Sequence, residues 1–252
     1  EQGRLTSGEA DYWKEKIGNL QEYQYGYHKG WSMILDTLTW PVLIMMLICI
    51  GIAPIFAGEY QSKCDSLILC MKYGRSKLIL AKIISGWLYA TGVYWGITLI
   101  YSSIYMIFLG TQGADLPIQL KYPAMSVGYN LTMGEAVGIT LLLGYFFTLG
   151  IMGITLFMSA LLKNTYAVII VAFLLIIIPT FLSLDTGGYV WSHVLSLLPP
   201  KIADFSFQSY TAYSIGNIVL SWPVMAILVN AIVAVLCSVL GYIIFRKHQV
   251  NK

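Results

Sequence analysis

Five blocks of apolar residues, at about 37–57, 79–109, 135–162, 165–184 and 218–245, are separated by stretches that are polar or mixed. Each is long enough to cross a hydrocarbon core of about 30 Å as a helix. Trp40 and Pro41 sit near the start of the first block, and Pro54 predicts a kink near its end. Lys163-Asn164-Thr165-Tyr166 joins the third block to the fourth, so that pair reads as a helical hairpin. Residues 1–35 are polar, of mixed charge and dotted with aromatics, which suits an extracytoplasmic or interfacial segment carrying a short surface helix. The remainder, 36–252, reads as one transmembrane domain. Within 185–217, the run from Tyr189 to Pro200 has apolar residues at helical spacing but is too short to span before Pro199 and Pro200 stop it. An amphipathic or re-entrant helix is expected there. The fold class is therefore an all-α integral membrane protein.

Composition strengthens this reading. The chain is 58% hydrophobic and only 11% charged, where soluble domains carry roughly 25% charged residues. A net charge of +3 is too small to point to nucleic acid, but its distribution sets an orientation. With the Arg246-Lys247 tail inside, five spans place nine basic residues on the inner side against two acids, Glu59 and Asp65. The outer side then holds six basic residues against ten acids, as the positive-inside rule requires. An outside N-terminus needs an earlier helix to carry it across, so a preceding span, and six in the whole protein, is expected.

Several chemistries lack their residues. No GxxxxGK[ST] run is present to cradle phosphates, and no HExxH metal motif occurs. The histidines His28, His193 and His248 are far apart, and Cys49, Cys64, Cys70 and Cys237 show no paired ligand spacing. The spans also lack the buried acids or arginines of proton-coupled carriers. Neither a metal site nor a cofactor of the chain's own is expected, nor is catalysis. Any energy for transport would come from another polypeptide.

The stretch after the first block, FAGEYQSKCDSLILCMKYGRSKLILAKIISG, combines an acid, an amphipathic helix, a Tyr-Gly-Arg turn and a lysine entering the next span. In it Leu67, Ile68, Met71 and Tyr73 can face lipid or protein while Lys63, Asp65 and Lys72 face water. This resembles the coupling segment of the ABC-2 family of ATP-binding-cassette exporter permeases, and the resemblance extends over nearly the whole chain in helix order. Glu59 matches the family's acid, Gly74, Arg75 and Ser76 its basic turn, and Lys82 the lysine opening the following helix. The resemblance implies a permease subunit of an exporter, paired with a second permease copy or relative. It also implies cytoplasmic ATPase subunits that carry ATP and Mg. Glu59, Lys63, Asp65, Lys72, Tyr73, Gly74, Arg75, Lys77 and Lys82 would form the segment docking on them. The protein would lie in the cell membrane, a bacterial plasma membrane on this reading, with its C-terminus in the cytoplasm.

In the second block Trp87, Thr91, Tyr94, Thr98, Tyr101 and Tyr105 recur every three or four residues and share one helical face. That face can line a path for an amphipathic, peptide-like or drug-like substrate, offering hydroxyls and rings without a costly charge. Equally, it can pack helix on helix, with Gly92 and Gly96 as a close-approach GxxxG pair. Asn230 and the glycines Gly144, Gly150 and Gly153 read as helix-contact residues. A competing functional class is a membrane-embedded sensor or immunity protein that binds a peptide at its external segments and moves nothing.

Overall fold

The computed structural model describes residues 7–18, 25–38, 41–64, 67, 70–71, 73–74, 76–122, 128–182, 189–204, 207, 211–215 and 218–247. Among these, four helices are long and apolar enough to cross a membrane: Val42–Gln61, Lys77–Leu109, Met133–Leu161 and Trp222–Lys247. They are the first, second, third and last spans below. A fifth apolar helix, Thr165–Phe181, has 17 residues and reaches only about 25 Å; it is the fourth span. The chain is thus mostly helical, with four to five apolar helices of membrane-spanning character, as the hydropathy pattern predicts.

The first span breaks where Pro54 stands. One helix runs Val42–Ile52 and a second Pro54–Gln61, because proline has no N–H to continue the ladder. The third span is the centre of the bundle, packing against all the other spans, most extensively against the last. Its start is fixed by a capping box in which Thr132 accepts from the Glu135 N–H and the Glu135 carboxylate accepts from the Thr132 N–H. Asn164 caps the fourth span by accepting from the Tyr166 N–H at 2.9 Å.

Short elements gather at one end of the bundle. Helix α1 covers Ser7–Gly18 and α2 covers Lys29–Leu38. A 3-10 turn at Ile118–Leu120, a helix at Tyr189–Ser196 and a second 3-10 turn at Pro199–Asp204 complete the helical part. Strands β1 (Ala212–Ile215) and β2 (Ile218–Ser221) pair antiparallel, Ala212 opposite Ser221 and Ile215 opposite Ile218. Trp13, Ile34, Leu35, Ile118, Tyr129, Ile202, Phe207, Ala212 and Trp222 share one apolar core with the adjoining ends of the spans. Trp13 packs edge-on against Tyr129, and Tyr129 edge-on against Phe207.

This cap departs from the sequence reading in two respects. The N-terminal segment forms two helices whose apolar residues enter the core, where one surface helix was expected. The final span begins at Trp222, and residues 218–221 belong to a strand, so the all-α description is corrected by one hairpin. Hydropathy cannot separate a short apolar strand from the helix that follows it without a break. The alternation Ala212-Tyr213-Ser214-Ile215, then Gly216-Asn217, then Ile218-Val219-Leu220, was the available signal.

Candidate functional site

The end of the bundle that carries Arg246 and Lys247 is built around the broken first span. Ser159, fully buried on the third span, inserts its hydroxyl at the break. Its Oγ donates to the Ala53 carbonyl at 2.7 Å and accepts from the Phe56 and Ala57 N–H groups at 3.0 Å each. One hydroxyl therefore satisfies three backbone groups in a region without water to do so. Below the break, the Phe56 ring meets Phe245 of the last span at 4.7 Å, and Tyr60 meets the same ring at 5.5 Å. Tyr60 Oη donates to the Ala160 carbonyl at 3.2 Å, and Gln61 Nε2 to Asn164 Oδ1 at 3.1 Å. The Pro54–Gln61 helix is thereby fastened to three other spans.

Glu59 and Lys82 form an ion pair there, linking the end of the first span to the first turns of the second. Both side chains are largely buried, and Lys82 Nζ also donates to the Ile55 carbonyl at 2.8 Å. A pair in this setting offsets much of its desolvation cost by geometry, and losing either partner leaves an uncompensated charge. The pair closes the base of the connecting segment. Within it Leu67, Met71 and Tyr73 are exposed, the Gly74 N–H turns back to the Met71 carbonyl at 3.0 Å, and Lys77 lies over the Tyr73 ring at 4.7 Å. Lys63 holds a left-handed backbone at φ 55° just past the helix end. The structure thus brings together Glu59 and Lys82, and separately Tyr73 and Lys77. Asp65, Ile68, Lys72 and Arg75 of the expected coupling segment lie outside the described residues.

The polar face of the second span turns toward the other helices. Trp87 Nε1 donates to Ser238 Oγ at 3.1 Å, Thr91 and Tyr145 share a hydrogen bond at 3.0 Å, and Tyr94 Oη donates to the Leu141 carbonyl at 2.7 Å. Farther along, Thr37 Oγ1 of α2 donates to Tyr105 Oη at 3.2 Å. Tyr101 is half-buried on the same face and Thr98 fully buried. Gly92 and Gly96 make no close approach, since a Cβ at either would meet nothing within 4 Å. The close approach occurs in the third span. There a Cβ on Gly150 would come within 2.6 Å of Asn230 Oδ1, and one on Gly153 within 2.7 Å of the Ala234 Cα.

Sequence reading placed Asn230 at a helix contact but missed the element it holds, and it missed a buried lysine pair in the cap. Asn230 Nδ2 donates to the Leu197 carbonyl at 3.2 Å, eight residues and about 12 Å along the helix from Trp222. The Trp222 ring in turn bonds the Ser196 carbonyl at 3.2 Å. The Tyr189–Ser196 helix and its following turn therefore descend beside the last span over the end of the short fourth span, where the buried Lys201 donates to the Leu182 carbonyl at 2.6 Å. In the cap, Lys121 Nζ bonds Asp36 Oδ1 at 2.6 Å and the Ser32 carbonyl at 2.7 Å. Burial holds the Lys121 ammonium below its ordinary range, although Asp36 acts in the opposite direction. The same surroundings push the Tyr122 phenol up to about 12, burial first and the Asp36 charge second. No local motif announces these groups, because their partners are many residues away in sequence.

The chain belongs to the DUF2705 family, described as a protein of unknown function, whose profile matches residues 17–250. No curated protein and no solved structure matches the chain.

Proposed function

We propose that the chain is the permease subunit of an ABC-2-type exporter, moving an amphipathic, peptide-like or drug-like substrate with ATP hydrolysed on a separate subunit. The observation that carries this reading is the Glu59–Lys82 pair, which joins two spans at the base of a segment exposing Leu67, Met71 and Tyr73. Exposed apolar residues flanked by lysines on a tethered segment suit a protein partner that pushes on the bundle. Because the Pro54–Gln61 helix is fastened through Tyr60, Gln61 and Glu59 to the third, fourth and second spans, a displacement of the segment would move several span ends as one body. A second permease subunit would complete the path, and the segment would face the cytoplasm.

Affinity purification of the full-length protein in mild detergent, followed by mass spectrometry, tests this reading. A Walker-type ATPase should be recovered in stoichiometric amount and be lost when residues 58–77 are scrambled. Glu59→Gln should retain the ATPase while uncoupling substrate-stimulated hydrolysis. Absence of any ATPase from folded protein sinks the proposal and favours a sensor that binds through the aromatic cap.

A further inference from the structure

The two ends of the bundle differ in how their charges are balanced. In the cap, Lys14 meets Asp11 at 3.5 Å and Lys121 meets Asp36 at 2.6 Å, while Glu15 and Asp115 stand exposed. At the opposite end Lys77, Lys163, Arg246 and Lys247 are all exposed, and among the described residues none of the four meets a carboxylate. Glu59 is the one acid described there, and it is largely buried in its pair with Lys82.

Helix register places these four bases at one depth. The third and last spans run parallel: Gly150 lies against Asn230, Gly153 against Ala234, and a Cβ on Gly241 would meet the Phe157 Cα at 3.6 Å. Four residues on, Leu161 ends the third span level with Phe245, so Lys163 follows beside Arg246 and Lys247. Tyr60 fixes the same level, bonding the Ala160 carbonyl and packing on the Phe245 ring. The second span runs antiparallel to the last, with Trp87 against Ser238. Lys77 stands ten residues, about 15 Å, from Trp87, and Lys247 nine residues, about 14 Å, from Ser238. Just inside this level the surface turns apolar. Leu161 and Ile243 are exposed, Tyr166 in the first turn of the fourth span is 72% exposed, and the Arg246 guanidinium lies over the Tyr242 ring at 6.0 Å. Tyrosines beside bases at the edge of an apolar band mark the headgroup layer of a bilayer. Four like charges held at that depth without acids repel one another, and lipid phosphates are the counter-charge available there. A guanidinium also matches a phosphate through two parallel hydrogen bonds. A phospholipid meets the bases and the adjoining apolar residues with one molecule, which an acidic protein surface does not.

We propose that Lys77, Lys163, Arg246 and Lys247 form a belt that holds the phosphate headgroups of anionic phospholipids, with acyl chains along Leu161 and Ile243. The belt stands independently of the permease reading. Full-length protein in nanodiscs of equal phosphatidylglycerol and phosphatidylcholine, matched in acyl chains, is extracted into mild detergent and washed. Lipid that stays bound is then counted by mass spectrometry. Phosphatidylglycerol should exceed phosphatidylcholine by about fivefold or more, since each base near an anionic surface contributes about a fivefold preference. The combined Lys163→Gln, Arg246→Gln and Lys247→Gln variant should bring the ratio close to one, while Lys29→Gln, exposed at the cap end, should leave it unchanged. Where neutralisation disturbs insertion, the wild type itself carries the test: washing at about 0.5 M salt should lower the ratio, because charges are then screened within a few ångströms. Equal retention of the two lipids by the wild type would overturn the belt. So would an excess that high salt leaves intact, one that survives in the folded triple variant, or one that falls equally in Lys29→Gln. A wild type with no phosphatidylglycerol excess, recovering an ATPase that the triple variant loses, would overturn it too and assign the bases to a protein partner.

Discussion

The second and third spans are alike in sequence and opposite in position. They have 33 and 29 residues, and their most apolar stretches have mean hydropathies of 1.5 and 2.0, yet that stretch is 11% buried within the fold in the second and 61% in the third. Glycines explain much of the difference. In the third span the space beside Gly144, Gly150 and Gly153 is filled by the Tyr94 hydroxyl, Asn230 and the Ala234 backbone, and missing side chains there let helices approach closely. In the second span the space beside Gly92 and Gly96 is open. The same residue type serves contact in one helix and leaves a surface in the other, so a glycine pair carries no information about contact until its neighbour is known.

Substitutions on the two spans should separate accordingly. The largest effect is expected from Gly153→Leu, which must displace the Ala234 backbone and should cost about 3 kcal/mol. Gly92→Leu should stay within about 0.5 kcal/mol. Thermal melts of the purified variants compare them, and equal losses would erase the contrast. Next comes Ser159→Ala, which leaves the Phe56 and Ala57 N–H groups and the Ala53 carbonyl without their partner and should cost roughly 1–3 kcal/mol. Ser85→Ala, whose exposed hydroxyl only meets its own helix backbone, should be neutral in the same melt.

Asn230→Leu removes the bond to the Leu197 carbonyl and should cost about 1 kcal/mol, since hydrogen bonds between membrane segments are modest. Its sharper readout is a cysteine at Val194, whose reaction with a water-soluble maleimide should speed up once the descending helix is released. Unchanged reactivity would mean that Asn230 does not hold that element. The smallest effect concerns Lys121. Its amine is held below the ordinary value of 10.5 in the folded protein, so between the lowered value and 10.5 the folded state binds fewer protons than the unfolded chain. Stability should therefore rise with pH across that window. Melts of wild type and Lys121→Met at stepwise alkaline pH test this, and the slope should flatten in the variant.

The sequence by itself determined where the apolar helices lie and their approximate limits, the kink at Pro54 and the helix-contact role of Gly150, Gly153 and Asn230. These follow from local composition, from the length a bilayer demands and from the missing proline N–H. The acid and lysine flanking the segment between the first two spans were also legible as candidates, and the structure pairs Glu59 with Lys82 across 23 residues. Only the tertiary structure decided that Ser159 mends the broken first span, that Lys121 ties α2 to a loop, that residues 218–221 form a strand and that the second span's hydroxyls face its neighbours. Each of these depends on groups separated by long stretches of chain, where a backbone carbonyl or a glycine's empty side is the partner, and such partners leave no mark in the order of residues.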